Sequence, residues 1–336
     1  MTLRIGTRKS ALALWQAQRV RDLLAARGEP CELVPMSTEG DRIVDRPLSD
    51  VGGKGLFIKE LEVALAEGRA DLAVHSAKDV PFALPEEFIL SAFPMREDAR
   101  DALVAPLAKT FANLPRGARV GTSSLRRAVQ LLSARPDLVI VPIRGNVQTR
   151  LALATGGAVL RGGKEVRPAA QDPLGPLDAV VLALAGLRRL GLEGQVTEVL
   201  SVDLCLPAAG QGALAIEAVR GARGETATAP LDDGGISRCV RAERAVLARL
   251  SGGCTVPVAA YATLQGSALF LRAALGGPDG KGGVAMVRAE GRGGQGEGGP
   301  EALGSQVGAA LLSMGGGPLL EAARSHSFGL PAPKRA

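Results

Sequence analysis

Three kinds of side chain in this sequence can do chemistry: one carboxylate, a set of arginines and one cysteine. Asp79 lies in Ala73-Val74-His75-Ser76-Ala77-Lys78-Asp79-Val80-Pro81, where a short apolar run gives way to small and polar residues before Pro81 stops the strand. A buried strand that ends this way carries side chains to the rim of a sheet, where open α/β folds bind their ligands. Asp79 is therefore the candidate catalytic group, and His75 is expected to be structural. Seven arginines and a single acid, Asp137, fall between Arg116 and Arg150. The guanidinium fork suits bidentate pairing with carboxylate or phosphate, so this cluster predicts an anionic partner. Arg126 and Arg127 fall in the first turn of a predicted helix, after Gly121-Thr122-Ser123-Ser124. Cations there oppose the macrodipole, which costs stability unless an anion lies between them. Thr7-Arg8-Lys9-Ser10 occupies a similar strand-to-helix turn and reads equally well as an anion site or as a plain capped turn. Cys254, in Ser251-Gly252-Gly253-Cys254, is either a reactive thiol or an inert turn cysteine.

These residues need elements to hold them. The spacing predicts a strand over 3–6, then a helix capped by Ser10 with the stripe Leu14, Ala17, Val20, Leu23 and Leu24, closed by Gly28, then a strand over 32–36. Such a unit begins a parallel sheet. The long loop 37–55 ends in Gly52-Gly53-Lys54-Gly55; Leu56 follows, so the Gly-Lys-Ser/Thr phosphate cradle is absent, and the loop reads as a lid carrying Lys54. A helix over 56–67 and strands over 72–74 and 88–92 follow. The charged stretch 94–101 reads as a crossover to a second unit, with strands near 120, over 138–142 and over 179–183. Arg144 and Arg150 sit where strand gives way to helix, and Arg189 follows the strand 179–183. The segment 206–212 reads as a second crossover, returning a strand over 213–218 to the first sheet. Two α/β lobes joined by two crossings make a hinged cleft. The stretch 156–175 reads as a surface insertion. A composition shift at 221–235 marks a third unit, with a helix over 239–250, antiparallel strands over 256–262, 268–274 and 284–289, and helices over 301–312 and 318–323.

Composition narrows the function classes. Aromatic residues make up 3% of the chain, which argues against base-stacking nucleic-acid modules. Forty basic residues against 34 acidic give +6, without a continuous basic stripe or a helix-turn-helix candidate, so no nucleic acid is expected. The four cysteines, Cys31, Cys205, Cys239 and Cys254, show neither metal-ligand spacing nor a disulfide framework, and no metal is expected. No apolar run of about twenty residues occurs, and the first residues show no apolar signal region. A cytoplasmic protein away from membranes is expected.

The segments 4–17, 51–59, 71–81, 96–101, 121–127, 144–150, 185–190, 206–212 and 242–257 together resemble the porphobilinogen deaminase (hydroxymethylbilane synthase) family of tetrapyrrole, porphyrin and heme biosynthesis. The resemblance implies an α/β transferase of two periplasmic-binding-protein-like lobes with mixed sheets and a hinged cleft, plus a smaller C-terminal α+β domain. The implied domains are 1–95 with 207–230, then 100–206, then 231–336. It also implies a dipyrromethane cofactor joined by a thioether to Cys254. On this primer four porphobilinogen molecules would condense head to tail, releasing ammonia and then linear hydroxymethylbilane. Asp79 matches the family's catalytic aspartate. Lys54, Ser76, Lys78, Ser124, Arg126, Arg127 and Arg150 would bind the cofactor, and Arg8, Ser10, Arg144, Arg150 and Arg189 the substrate. Phe57 would pack beside the cofactor. A monomer is expected, with hand-off of product to uroporphyrinogen-III synthase. The competing reading is a bilobal binding protein for a small carboxylate or oxyanion.

Overall fold

The computed structural model describes residues 2–37, 58–161, 164–167, 175–250, 256–293 and 298–325. The chain opens as expected, with strand β1 (Leu3–Arg8), helix α1 (Ala11–Ala25) and strand β2 (Cys31–Met36). Ser10 caps α1, its hydroxyl accepting from Ala13 N at 3.3 Å, and Gly28 takes the left-handed φ of +80° that the chain needs to turn back. β1 pairs in parallel with β2 and with β3 (Leu72–Ser76), and helix α2 (Lys59–Ala66) precedes β3. Strand β4 (Phe88–Ala92) lies at the far edge of this sheet.

The charged stretch read as a crossover is more regular than expected. Met95 O accepts from Leu214 N at 3.1 Å and Glu97 N donates to Gly212 O at 3.0 Å, so the two crossings run side by side. The first of them runs directly into strand β5 (Asp101–Val104), which the sequence reading missed because it opens on Asp101, within the charged stretch read as a crossover. The second unit continues with β6 (Arg119–Gly121), α3 (Leu125–Ala134), β7 (Val139–Val141) and α4 (Val147–Thr155). Within the stretch read as a surface insertion, β8 (Val159–Arg161) and β9 (Lys164–Val166) pair antiparallel. Then come β10 (Ala179–Ala183), α5 (Leu184–Arg189) and β11 (Glu198–Val199). The sheet order is β11-β5-β10-β6-β7, with β10 parallel to β6 and antiparallel to β5. Apolar clusters cover both faces, one around Val120, Leu131 and Val181 and the other around Leu151, Val180 and Leu187. Strand β12 (Leu214–Val219) returns to the first sheet and inserts antiparallel between β3 and β4.

The composition shift at 221–235 holds helix α6 (Arg223–Thr228) and leads into α7 (Gly234–Arg249), capped by Asp233 accepting from Gly235 N and Ile236 N at 2.9 Å. Strands β13 (Val258–Gln265), β14 (Ala268–Pro278) and β15 (Val284–Gly293) form a three-stranded antiparallel sheet. Helix α8 (Gly299–Leu311) packs beside α7 over the core built on Val246, Leu271 and Leu311; α9 (Gly317–Ser325) completes it. Two mixed α/β sheets joined by paired crossings, with an α+β unit behind, are the fold class expected.

Candidate active site

β3 brings Asp79 to the edge of the first sheet. Its ladder to β12 ends at the pair Ser76 and Leu214, after which Ala77–Asp79 make one 3₁₀ turn. Ala77 N donates to Ala213 O at 3.0 Å, and Val80 adopts the extended geometry that a following proline imposes. Gly210, at φ +72°, lies against this turn so closely that a Cβ there would sit 3.0 Å from Ala77 C and Lys78 N. Lys78 Nζ donates to Gln211 Oε1 at 3.3 Å and Gln16 Nε2 donates to Ser76 Oγ at 2.9 Å, so both predicted contact residues are already oriented by the protein. His75 is buried, sharing a 2.8 Å hydrogen bond with the fully buried Glu217, which fits a structural role.

The arginines at the start of α3 depart from the sequence argument. Arg126 and Arg127 do face an anion, but it is Asp101, an internal carboxylate with no exposed surface. Arg126 Nη1 donates to Asp101 Oδ2 at 2.8 Å and to Leu206 O at 2.7 Å. Arg127 donates to Asp101 Oδ1 through Nε at 3.0 Å and Nη2 at 2.7 Å, and to Val181 O through Nη1 at 2.9 Å. Gln211 Nε2 and Cys205 Sγ complete the shell at 2.8 Å and 3.3 Å. Burial pushes the Asp101 carboxyl up, yet the two guanidiniums outweigh it and hold it well below the usual carboxylate range. Cys205 beside it is pushed up to about 12, chiefly by burial, and is inert. The expected cofactor contacts at Arg126 and Arg127 are thus spent largely on the protein itself. Ser124, the cap of α3, accepts from Arg127 N at 3.4 Å.

Arg144 and Arg150 behave differently. Arg150 is half-buried, its Nε donating to Gly145 O at 2.8 Å. Burial, then Arg127 and Arg144, push its pKa down to about 10, while Asp79 pulls the other way. Three cations of the second unit and the carboxylate of the first therefore share one electrostatic neighbourhood. Arg189 is 7% exposed; its Nη2 donates to Gly212 O at 2.5 Å, and its guanidinium lies 5.6 Å from the Trp15 ring centre. Its Nε is buried without a hydrogen-bond partner among the described residues, and burial, opposed by Glu97, pushes its pKa down to about 10. Arg8 is half-buried at the end of β1, and Ser10 serves as the cap already described. Lys54, Phe57 and Cys254 lie outside the described residues.

The family model for porphobilinogen deaminase, dipyromethane cofactor binding domain, matches residues 3–226, and that for the porphobilinogen deaminase C-terminal domain matches 237–313. The porphobilinogen deaminase of Roseiflexus sp. (strain RS-1) is 48% identical over 323 residues, covering 95% of this chain and 98% of that protein. That of Syntrophotalea carbinolica is 52% identical over 272 residues, covering 80% and 81%. The chain belongs to the porphobilinogen deaminase family. Among solved structures, a periplasmic substrate-binding protein of an ABC transporter from Coxiella burnetii overlaps 70% of this chain and 94% of its own, at a TM-score of 0.40 and 11% identity.

The cofactor of porphobilinogen deaminases is a dipyrromethane, and the residues present fit it. Its rings carry acetate and propionate groups, whose burial demands cationic donors. The crowded, partly desolvated charges around Arg150 and the orphaned Nε of Arg189 are donors of that kind. Sequence reasoning missed the side chains that tie the crossings together. Glu243 on α7, fully buried, accepts from Arg96 Nη1 at 2.8 Å and Nη2 at 3.2 Å, from Gly210 N at 2.7 Å and from Ala262 N at 2.7 Å. Arg96 Nε also donates to Gln211 O at 3.1 Å. The signal was a paired Arg96-Glu97 in the crossover and an acid among the apolar positions of α7, neither of which declares its partner.

Proposed function

We propose that Asp79 is the catalytic carboxylate of this porphobilinogen deaminase and that Arg8, Arg144, Arg150 and Arg189 hold the carboxylates of substrate and product. The reaction is the polymerisation of porphobilinogen to linear hydroxymethylbilane with release of ammonia. The observation that carries the assignment is the shared field of Asp79 and Arg150, which sets one negative group of the first unit against the cations of the second. Dipyrromethane supplies the primer on which the chain grows. Asp79 can accept hydrogen bonds from pyrrole N–H groups, assist removal of the proton lost at each condensation and stabilise the positive charge that precedes that loss. Arg150, close to both Asp79 and the guanidinium of Arg144, can pair with ring carboxylates while Asp79 stays on the pyrrole nitrogens. Lys78 and Ser76, oriented through Gln211 and Gln16, flank the same position, and Ser124, Arg126 and Arg127 are proposed as further cofactor contacts.

Cys254, in its Gly-Gly-Cys loop, is proposed as the thioether anchor of the primer, with Lys54 of the 37–55 loop as a further contact. The division into 1–95 with 207–230, 100–206 and 231–336 is supported by sheet membership, since β12 joins the first sheet and β13 to β15 form their own. A monomeric cytoplasmic enzyme is proposed, passing its product to uroporphyrinogen-III synthase; among the described residues no helix is long and apolar enough to cross a membrane.

The decisive experiment pairs intact-mass analysis with turnover. Purified protein is expected to carry a dipyrromethane adduct that is lost in Cys254→Ala. Asp79→Asn is expected to retain the adduct while porphobilinogen consumption falls by about a hundredfold or more, in the range for loss of a general acid-base group. Near-normal turnover in Asp79→Asn would remove the carboxylate from the mechanism.

A further inference from the structure

The 3₁₀ turn that bears Asp79 is held on its entry side by the sheet. Ala77 N bonds to Ala213 O, and Gly210 presses on the backbone of Ala77 and Lys78. Its exit side, Val80-Pro81-Phe82, leaves the sheet and contains a proline, which has no N–H to contribute. Apart from Val80 N to Ala77 O at a long 3.3 Å, the hydrogen bonds made there among the described residues all come from one side chain of the third unit. Arg244 of α7 donates through Nη1 to Val80 O at 3.2 Å and through Nη2 to Pro81 O at 2.6 Å and Phe82 O at 3.2 Å. A guanidinium usually seeks a carboxylate; here its planar fork is spent on three consecutive carbonyls, a geometry that a single ammonium cannot reproduce. Burial pushes its pKa down to about 10, with Glu217 opposing, so the cation is kept where desolvation works against it. Its neighbour Glu243 binds Gly210 N, the residue pressed against the entry side. Consecutive residues of α7 therefore grip both ends of the turn.

We infer that Arg244 is a positioning residue for the condensation, fixing the Asp79 turn against helix α7. The inference rests on the assignment of Asp79 as the catalytic carboxylate. Helix α7 ends at Arg249, five residues before Cys254 in sequence, so the grip ties the carboxylate to the element that leads to the proposed anchor. Loss of the grip leaves the β3–β12 ladder intact and frees only the exit side. A displacement of about 1 Å at a reacting group costs on the order of a hundredfold in rate.

The test uses cofactor-loaded, full-length Arg244→Gln and Arg244→Lys, with Arg241→Gln on the exposed face of the same helix as control. Four quantities are read: kcat per adduct-bearing molecule, KM for porphobilinogen, Tm, and amide hydrogen exchange. Arg244→Gln is expected to lose about tenfold to a hundredfold in kcat with KM within about twofold, in line with a misplaced catalytic group. Exchange should quicken in peptides spanning 78–84 and stay unchanged in 268–278. Arg244→Lys, which keeps the charge but not the fork, should fall between Arg244→Gln and wild type, and it decides the matter if Arg244→Gln does not fold. Wild-type kcat per loaded molecule in the folded variants overturns the inference, as does a kcat loss without faster exchange at 78–84. A role confined to stability would lower Tm and the loaded fraction alone. If Asp79→Asn proves active, the catalytic assignment fails by itself, while the exchange experiment still reports whether Arg244 fixes the turn.

Discussion

At the scale of single residues, Arg126, Arg127 and Arg150 separate two meanings of the same side chain. All three follow strands near a helix start, and all were legible as cations that require an anion. For Arg126 and Arg127 that anion is Asp101, some 25 residues earlier in the chain and buried by a strand whose existence the sequence did not announce. For Arg150 the neighbours are chiefly other cations, and Asp79 is the carboxylate that offsets them. A sequence shows that a charge must be compensated; it does not show whether the compensation is internal. Arg150→Leu is accordingly expected to leave the fold intact, because its bond to the exposed Gly145 contributes only about 1 kcal/mol. It should instead change the ladder of stalled elongation products seen by mass spectrometry. A pattern identical to wild type would take Arg150 out of the site. The position of Asp79 at the end of β3 was legible because a strand, a polar run and a proline follow one another without interruption, a local signal that needs no distant partner.

At the scale of elements, the strands read correctly were those with apolar runs bounded by turn residues, such as β3, β4, β10 and β12. β5 and α6 were missed because they begin among charged or small residues. What the crossings do to stability follows from Asp101. Its carboxyl is depressed in the folded protein relative to an unfolded value of about 3.9. A depressed acid contributes stability that is fully present above its unfolded pKa and is lost as pH falls from there toward the folded value. Wild-type unfolding free energy should therefore drop steeply below about pH 4. Asp101→Asn is expected to flatten that slope and, at pH 7, to cost about 3–5 kcal/mol, the usual consequence of leaving buried arginines without their counter-charge. Urea titrations of both proteins between pH 3 and 7 check this; parallel pH profiles would show that the pair contributes no linkage.

At the scale of the whole molecule, one carboxylate holds three units in register. Glu243 bonds the first crossing through Arg96, the second through Gly210 and its own unit through Ala262. Removing it leaves the half-buried Arg96 without its carboxylate and two backbone amides unpaired. Glu243→Ala should cost about 3–5 kcal/mol and lower cooperativity. In calorimetry the third unit is expected to melt apart from the two lobes, at a lower temperature than the intact protein; a single transition at the wild-type Tm would contradict that reading. The three-unit plan itself was legible from composition and from the two crossings, since strand, turn and helix signals are local. The register between units was not, because it depends on contacts between residues far apart in sequence, such as Arg96 with Glu243, 147 positions away.

The place of β12 between β3 and β4 also bears on how the protein is made. Among the described residues β4 pairs with β12 alone, so residues 88–92 have no strand partner there until residues 214–219 have been synthesised. The second sheet is built wholly from 101–199 and can close first on an emerging chain. Over that interval the first lobe presents β3 and β4 as open edges, the kind of unpaired strand that recruits other chains. On an emerging chain the strand leading to Asp79 can therefore stand exposed while the second lobe is already folded, and a chain that stalls before residue 214 is expected to be prone to aggregate.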